Sequence, residues 1–187
     1  MLFRSEEVNS LQLCKQLVMD LMKLPEAEPF SKPVPWEEWK LMDYPRIVKQ
    51  PMDLGTVKKK LDNDEYHDIY AFADDVHLIW YNCFLYNPEG SEIRLVCQKI
   101  SQKFEEKFKN MLSKLPEEFQ EPTLEEKESF CNNFAHLTSD QIASIVSILQ
   151  KECPSSLVDN STQMDIAVDS IHPPLFHQLY TMQTDRK

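Results

Sequence analysis

The side chains able to do chemistry in this chain are spaced for recognition rather than for turnover. Five cysteines stand at positions 14, 83, 97, 131 and 153 without a C-x-x-C pair, and the five histidines form neither H-E-x-x-H nor a Cys/His cluster. That pattern supplies no zinc knuckle and no disulfide framework, and an odd number of thiols fits a reduced intracellular compartment. The two glycines, Gly55 and Gly90, lie too far apart to write G-x-G-x-x-G, a P-loop or the G-x-S-x-G elbow. Phosphate-cradling and serine-nucleophile chemistry are therefore excluded. What stands out instead is residues 25–52, which hold six prolines together with Phe30, Val34, Trp36, Trp39, Leu41, Tyr44 and Ile47. Proline keeps such a stretch out of long helices, and its apolar content is too high for disorder. It reads as an ordered loop packed on helices and lining a site.

The elements that must hold this loop follow from periodicity. With 187 residues, a net charge of −11 and 42% hydrophobic residues, the chain can build one domain or two small ones. Its longest apolar-leaning run, Val76 to Pro88, is too short to cross a bilayer. Leu11, Cys14, Leu17, Val18 and Leu21 predict an amphipathic helix over 6–24. Asp53 can cap a helix over 54–62, Asp68 one over 69–86 and Ser91 one over 92–115. Tyr86-Asn87-Pro88-Glu89-Gly90 breaks the third helix with turn residues, and on composition alone Asn87 is a turn former. Four amphipathic helices and one long loop describe a four-helix bundle. Trp80 and Phe104 belong to its core stripes, and Lys58-Lys59-Lys60 to a solvated face.

Residues 116–122 read as a polar, proline-bracketed linker. Beyond it, Thr123 with Glu126 and Thr138 with Gln141 each make a capping box. Alternation of Met164, Ile166 and Val168 with Asp165, Ala167 and Asp169 predicts an extended segment over 163–169, and Pro173-Pro174 start a last helix before a frayed 183–187 tail. Charge is uneven: residues 1–116 carry −3 and residues 117–187 carry −8. An acidic C-terminal third opposes nucleic-acid binding and suits basic partners.

Two blocks carry a family resemblance. Tyr44-Pro45-Arg46-Ile47-Val48-Lys49-Gln50-Pro51-Met52-Asp53-Leu54-Gly55-Thr56-Val57 and Asn82-Cys83-Phe84-Leu85-Tyr86-Asn87-Pro88-Glu89-Gly90-Ser91-Glu92-Ile93 resemble the bromodomain signature. Residues 123–181 are similar to the extra-terminal (NET) domain, and the pair in this order looks like the BET family of chromatin readers. The resemblance implies an all-α fold: a left-handed four-helix bromodomain bundle over 5–115 with a long ZA loop, then a small, mostly helical extra-terminal domain over 123–182.

It also implies a non-enzymatic nuclear reader of acetyl-lysine on histone tails that needs no cofactor or metal. Asn87 is then the amide donor to the acetyl oxygen, and Tyr44 holds a bridging water. Pro29, Phe30, Val34, Trp39, Leu41, Cys83, Tyr86 and Ile93 form the walls, with Ile93 at the gate. Family members open the loop with a Trp-Pro-Phe shelf, whereas this chain has Glu28-Pro29-Phe30. In the second domain Met164, Asp165, Ile166, Val168 and Asp169 are the implied dock for basic–apolar peptides of transcription or chromatin proteins, with Gln163 and Ala167 at positions often acidic in the family. The alternative is a helical adaptor whose acetyl-lysine pocket is degenerate.

Overall fold

The computed structural model describes residues 3–160 and 164–184. The chain divides into two compact units, Met1–Ser113 and Lys114–Lys187. The first holds the long helices α1 (Phe3–Met22), α3 (Leu54–Asp62), α4 (Ile69–Tyr86) and α5 (Glu92–Leu112), with one short turn, α2 (Tyr44–Ile47), inside the long loop. α1, α3, α4 and α5 pack on one another as a four-helix bundle.

Local chemistry sets the helix starts. Asp53 Oδ1 accepts the Thr56 N–H at 3.0 Å and its Oδ2 the Thr56 hydroxyl at 2.6 Å. Asp68 Oδ1 accepts the N–H groups of Tyr70 and Ala71, both at 2.8 Å. The three backbone bonds satisfy N–H donors that the first helical turn leaves free, and the Thr56 hydroxyl adds a second hold on Asp53. Ser91 departs from expectation. Its backbone is extended, but its hydroxyl makes no capping bond and is buried without a partner. α5 also ends at Leu112 rather than at 115, because Pro116 disfavours helical backbone at the residue before it. Three of the loop prolines do enter short helical turns: Pro25 and Pro29 in a 3-10 turn (Pro25–Phe30), and Pro45 in α2. At Pro25 and Pro45, in the first residues of their turns, the missing N–H is a donor that would be unpaired anyway.

The core lies along the helix stripes. Val18 and Leu21 of α1, Leu54 and Val57 of α3, Phe72 and Val76 of α4, and Ile100 and Phe104 of α5 are all fully buried. Phe72 meets Phe104 edge-on at 6.2 Å, and Phe104 stacks on Phe108 at 5.3 Å. Each such side chain contributes about 1.5–3 kcal/mol by leaving water. The long loop is fastened to this frame at Gly55, where a Cβ would sit 2.6 Å from the Ser31 carbonyl oxygen. Only glycine lets the start of the loop lie so close to α3.

The second unit holds α6 (Leu124–Asn133), α7 (Ser139–Glu152) and α8 (Pro173–Thr184), with a two-stranded antiparallel sheet of β1 (Leu157–Asp159) and β2 (Met164–Ile166). Both expected capping boxes form, at Thr123/Glu126 and Thr138/Gln141. Phe130, Ile145, Leu149, Phe176 and Leu179 make its core. Two readings need correction here. Residues 116–122 are not a free linker: Phe119 is buried, the Gln120 carbonyl accepts from His177 Nε2 at 3.2 Å, and a 3-10 turn (Glu117–Phe119) packs on α8. Nor does the tail start at 183, since α8 runs to Thr184 and buries Gln183. In both places apolar or buried side chains recruit backbone whose local composition is polar.

Candidate functional site

The long loop, the end of α4 and the start of α5 converge on one cavity of about 130 Å³. Pro29, Phe30, Val34, Trp39, Leu41 and Tyr44 line it from the loop, Cys83, Tyr86 and Asn87 from α4 and its cap, and Ile93 from α5. All ten residues assigned to the first site from the sequence thus surround a single space. Lys32, Met52, Asp53, Ile79 and Asn82 line it too and were missed. Asn82 had a signal, for it opens the second motif block. Its side chain is buried, and Nδ2 donates to the Gln50 carbonyl at 2.7 Å, tying the far end of the loop to α4.

Asn87 is the C-cap of α4, with extended backbone at φ −92° and ψ 137°. Pro88 favours that conformation, because its ring clashes with helical backbone at the preceding residue. The Asn87 backbone N–H donates to the Cys83 carbonyl at 3.0 Å, and the side-chain Nδ2 donates to the same oxygen at 2.9 Å. The same Nδ2 also lies 3.5 Å from Cys83 Sγ, so its second hydrogen rests on a weak thiol acceptor that a carbonyl oxygen entering the cavity can replace. Gly90, at φ 79°, lets the turn return to α5.

Two phenols flank this amide. Tyr44 and Tyr86 meet edge-on at 4.9 Å, and the Tyr86 hydroxyl donates to Asp43 Oδ1 at 2.9 Å. Burial raises the pKa of Tyr44, with the nearby Cys83, Tyr86 and Asp53 adding to it. Tyr86 is raised by burial and by its bond to Asp43. Both are protonated near neutral pH, and the Tyr86 hydrogen is committed to Asp43. The Cys83 thiol moves the other way. A hydrogen bond from Cys97 holds it below the ordinary range against the effect of burial, helped by the Asn87 amide and the charge of Arg94.

At the mouth, Trp39 lines the cavity while remaining 58% exposed. A tight turn presents it, closed by Leu41 N–H on the Trp36 carbonyl at 2.7 Å, with Lys40 at φ 57°. Glu28 is exposed and is not among the lining residues, and neither is Trp36. An indole therefore stands at the entrance, although not at the shelf position expected from the family.

The expected dock of the second unit is divided differently. Only Met164, Asp165 and Ile166 form a strand, paired through Leu157↔Ile166 and Asp159↔Met164. Val168 and Asp169 lie in a 3-10 turn (Val168–Ser170), where the chain leaves the sheet to bury Ile171. Of the alternation read over 163–169, residues 164–166 are thus strand and 168–169 turn, and Gln163 falls outside the described residues. Asp165 accepts from the Asn160 side chain, and Asp169 pairs with Lys127 Nζ at 2.7 Å. Met164 is exposed, whereas Ile166 and Val168 pack partly against the core. Asp169 and Val168 border a groove whose other side is Leu124, Lys127, Glu128, Cys131 and Asn132.

Comparison with known proteins agrees with this architecture. The family model "Bromodomain" matches residues 14–99, and "Bromodomain extra-terminal - transcription regulation" matches residues 121–183. The second bromodomain of Candida albicans Bdf1, solved bound to an imidazopyridine, is 37% identical, with a TM-score of 0.51 over 53% of this chain and 96% of that one. The fold and the motifs define a bromodomain protein. More narrowly, the chain belongs to the bromodomain and extra-terminal (BET) family. Among curated relatives, Bromodomain-containing factor 1 of Candida albicans is 38% identical over 103 residues, 54% of this chain and 14% of that protein. Transcription factor GTE1 of Arabidopsis thaliana is 27% identical over 187 residues, 98% of this chain and 46% of that protein. The chain therefore spans less than half the length of these relatives.

Proposed function

We propose that the first unit binds acetyl-lysine on histone tails, and that the protein is a nuclear chromatin reader rather than an enzyme. The observation that carries this reading is Asn87, an amide with one N–H bonded to the Cys83 carbonyl and the other held only by a weak 3.5 Å contact to the Cys83 sulfur, set in an otherwise mainly apolar cavity. Acetylation turns a lysine ammonium into a neutral amide whose carbonyl needs one donor. An unmodified ammonium would lose its hydration among Phe30, Val34, Leu41 and Ile93, which costs several kcal/mol when unpaired. Tyr44, which lines the same cavity, holds a water that bridges to the same acetyl oxygen. Ile93 stands at the gate, and Trp39 supplies apolar area at the mouth where Glu28 does not.

The second unit would recruit basic–apolar peptides of transcription or chromatin proteins. Such a peptide adds to β2 through its main chain and sets its cations against Asp165 and Asp169. The acidic balance of residues 117–187 supports this reading and argues against direct nucleic-acid binding. Singly and multiply acetylated histone-tail peptides, each titrated beside its unmodified form, test the proposal. The expected result is saturable binding only with acetylation. Equal affinity for both forms would leave the bundle as an adaptor with a degenerate pocket.

A further inference from the structure

We propose that Arg94, outside the cavity lining, is the positioning residue for Asn87 and so sets the affinity of the first unit; this rests on the acetyl-lysine reading above. Arg94 follows Ile93 in the first turn of α5, and its side chain reaches back to the last turn of α4. Nη1 donates to the carbonyl of Phe84 at 3.1 Å and to the carbonyl of Asn87 at 3.1 Å. The guanidinium carbon also lies 5.3 Å from the centre of the Phe84 ring.

The end of α4 needs such a group. A helix leaves its last carbonyls unpaired and carries partial negative charge there, which a cation relieves. The last turn of α4 has no basic residue of its own. Arg94, supplied by the next helix, meets both needs with one nitrogen. The consequence for Asn87 is a grip on its backbone and on its side-chain nitrogen that comes from two helices. Its backbone N–H and one side-chain N–H are held by the Cys83 carbonyl, and its own carbonyl by Arg94. The Cys83 anchor belongs to α4 and the Arg94 anchor to α5, so the turn between the helices cannot swing without breaking one of them. Remove Arg94, and Asn87 depends on Pro88 and Cys83 alone. Apparent affinity scales with the fraction of molecules holding the competent geometry, so a fall to about one in ten weakens binding about tenfold.

The test titrates the parent, Arg94→Ala and Arg94→Lys with an acetylated histone-tail peptide and records the Asn87 side-chain amide by ¹H–¹⁵N NMR in the ligand-free proteins. Asn87→Ala assigns that resonance. Arg94→Ala should bind about tenfold more weakly and shift or broaden the Asn87 amide, and Arg94→Lys, which keeps the cation, should recover part of both. Should Arg94→Ala not fold, Arg94→Gln, which keeps a neutral donor and most of the stem, replaces it. Parental affinity in the variant overturns the inference, and so does weaker binding with an unmoved Asn87 amide, which would mark a merely structural arginine. A parent that binds no acetylated peptide would sink the acetyl-lysine reading instead, and the ligand-free amide resonance would then decide the positioning by itself.

Discussion

Asn87 in the first unit and Asp169 in the second are the polar groups each unit would offer to a peptide, and they are held in opposite ways. Asn87 is tied at its backbone and at its side-chain nitrogen, so little ordering is left to do when a ligand arrives. The Asp169 side chain is 89% exposed and already paired with Lys127. A ligand for the cavity gains a desolvated hydrogen bond; a ligand for the acidic edge must first compete with a cation of the protein itself. Exposed pairs of this kind are worth about 0–1 kcal/mol, so the second surface should be weak, salt-sensitive and tolerant of sequence. The first should be selective and nearly indifferent to salt.

Removing the donor is the sharpest way to break this contrast. Asn87→Ala should weaken acetyl-peptide binding by about 1–3 kcal/mol, roughly 5–150-fold, while the melting temperature of the protein changes little. Calorimetric titration beside a thermal melt checks it. Gly55→Ala attacks the frame rather than the donor. Its Cβ would meet the Ser31 carbonyl oxygen at 2.6 Å, which backbone cannot yield cheaply, so the first unit should lose about 1–3 kcal/mol of stability. Urea unfolding followed by tryptophan fluorescence reads this unit alone, since Trp36, Trp39 and Trp80 all lie in it.

The mouth of the cavity gives a smaller effect. Trp39→Ala should cost a flat aromatic ligand about 0.5–1.5 kcal/mol, and Glu28→Trp should change its affinity less, because position 28 does not line the cavity. Titrating one such ligand against both variants compares the two positions directly. Smallest is the expected gain at the second surface. Lys127→Ala frees Asp169 and should tighten binding of a basic–apolar peptide by about 0–1 kcal/mol. Asp165→Lys with Asp169→Lys should remove that binding. Raising salt from 0.1 to 1 M, which shortens the screening length from about 10 Å to about 3 Å, should weaken the peptide here and leave the acetyl-peptide affinity nearly unchanged.

What the sequence reveals follows the range of the interactions concerned. Asp53, Asp68, Thr123 and Thr138 announce helix starts because a cap and the N–H it accepts lie within three residues. Ser91 has the same local signature and fails, since its hydroxyl points into the protein instead. β1 is invisible beforehand: Leu157–Asp159 is too short for a period, and only its pairing with Met164–Ile166 makes it a strand. The cavity residues are legible because they sit inside two long motif blocks and one apolar loop. Arg94 is not, for its partners are backbone carbonyls on another helix, and carbonyls leave no mark in a sequence. The Lys127–Asp169 pair spans 42 positions and is hidden for a similar reason.

The central claim is that one hydrogen of the Asn87 amide is committed to the Cys83 carbonyl and the other, resting weakly on the Cys83 sulfur, turns to an acetyl oxygen. The side-chain ¹H–¹⁵N resonances of Asn87, followed while an acetylated histone-tail peptide is added, test it most directly. One proton should move strongly on saturation and its partner little, with neither moving for the unmodified peptide. Two unmoved protons at saturating acetylated peptide would contradict the account.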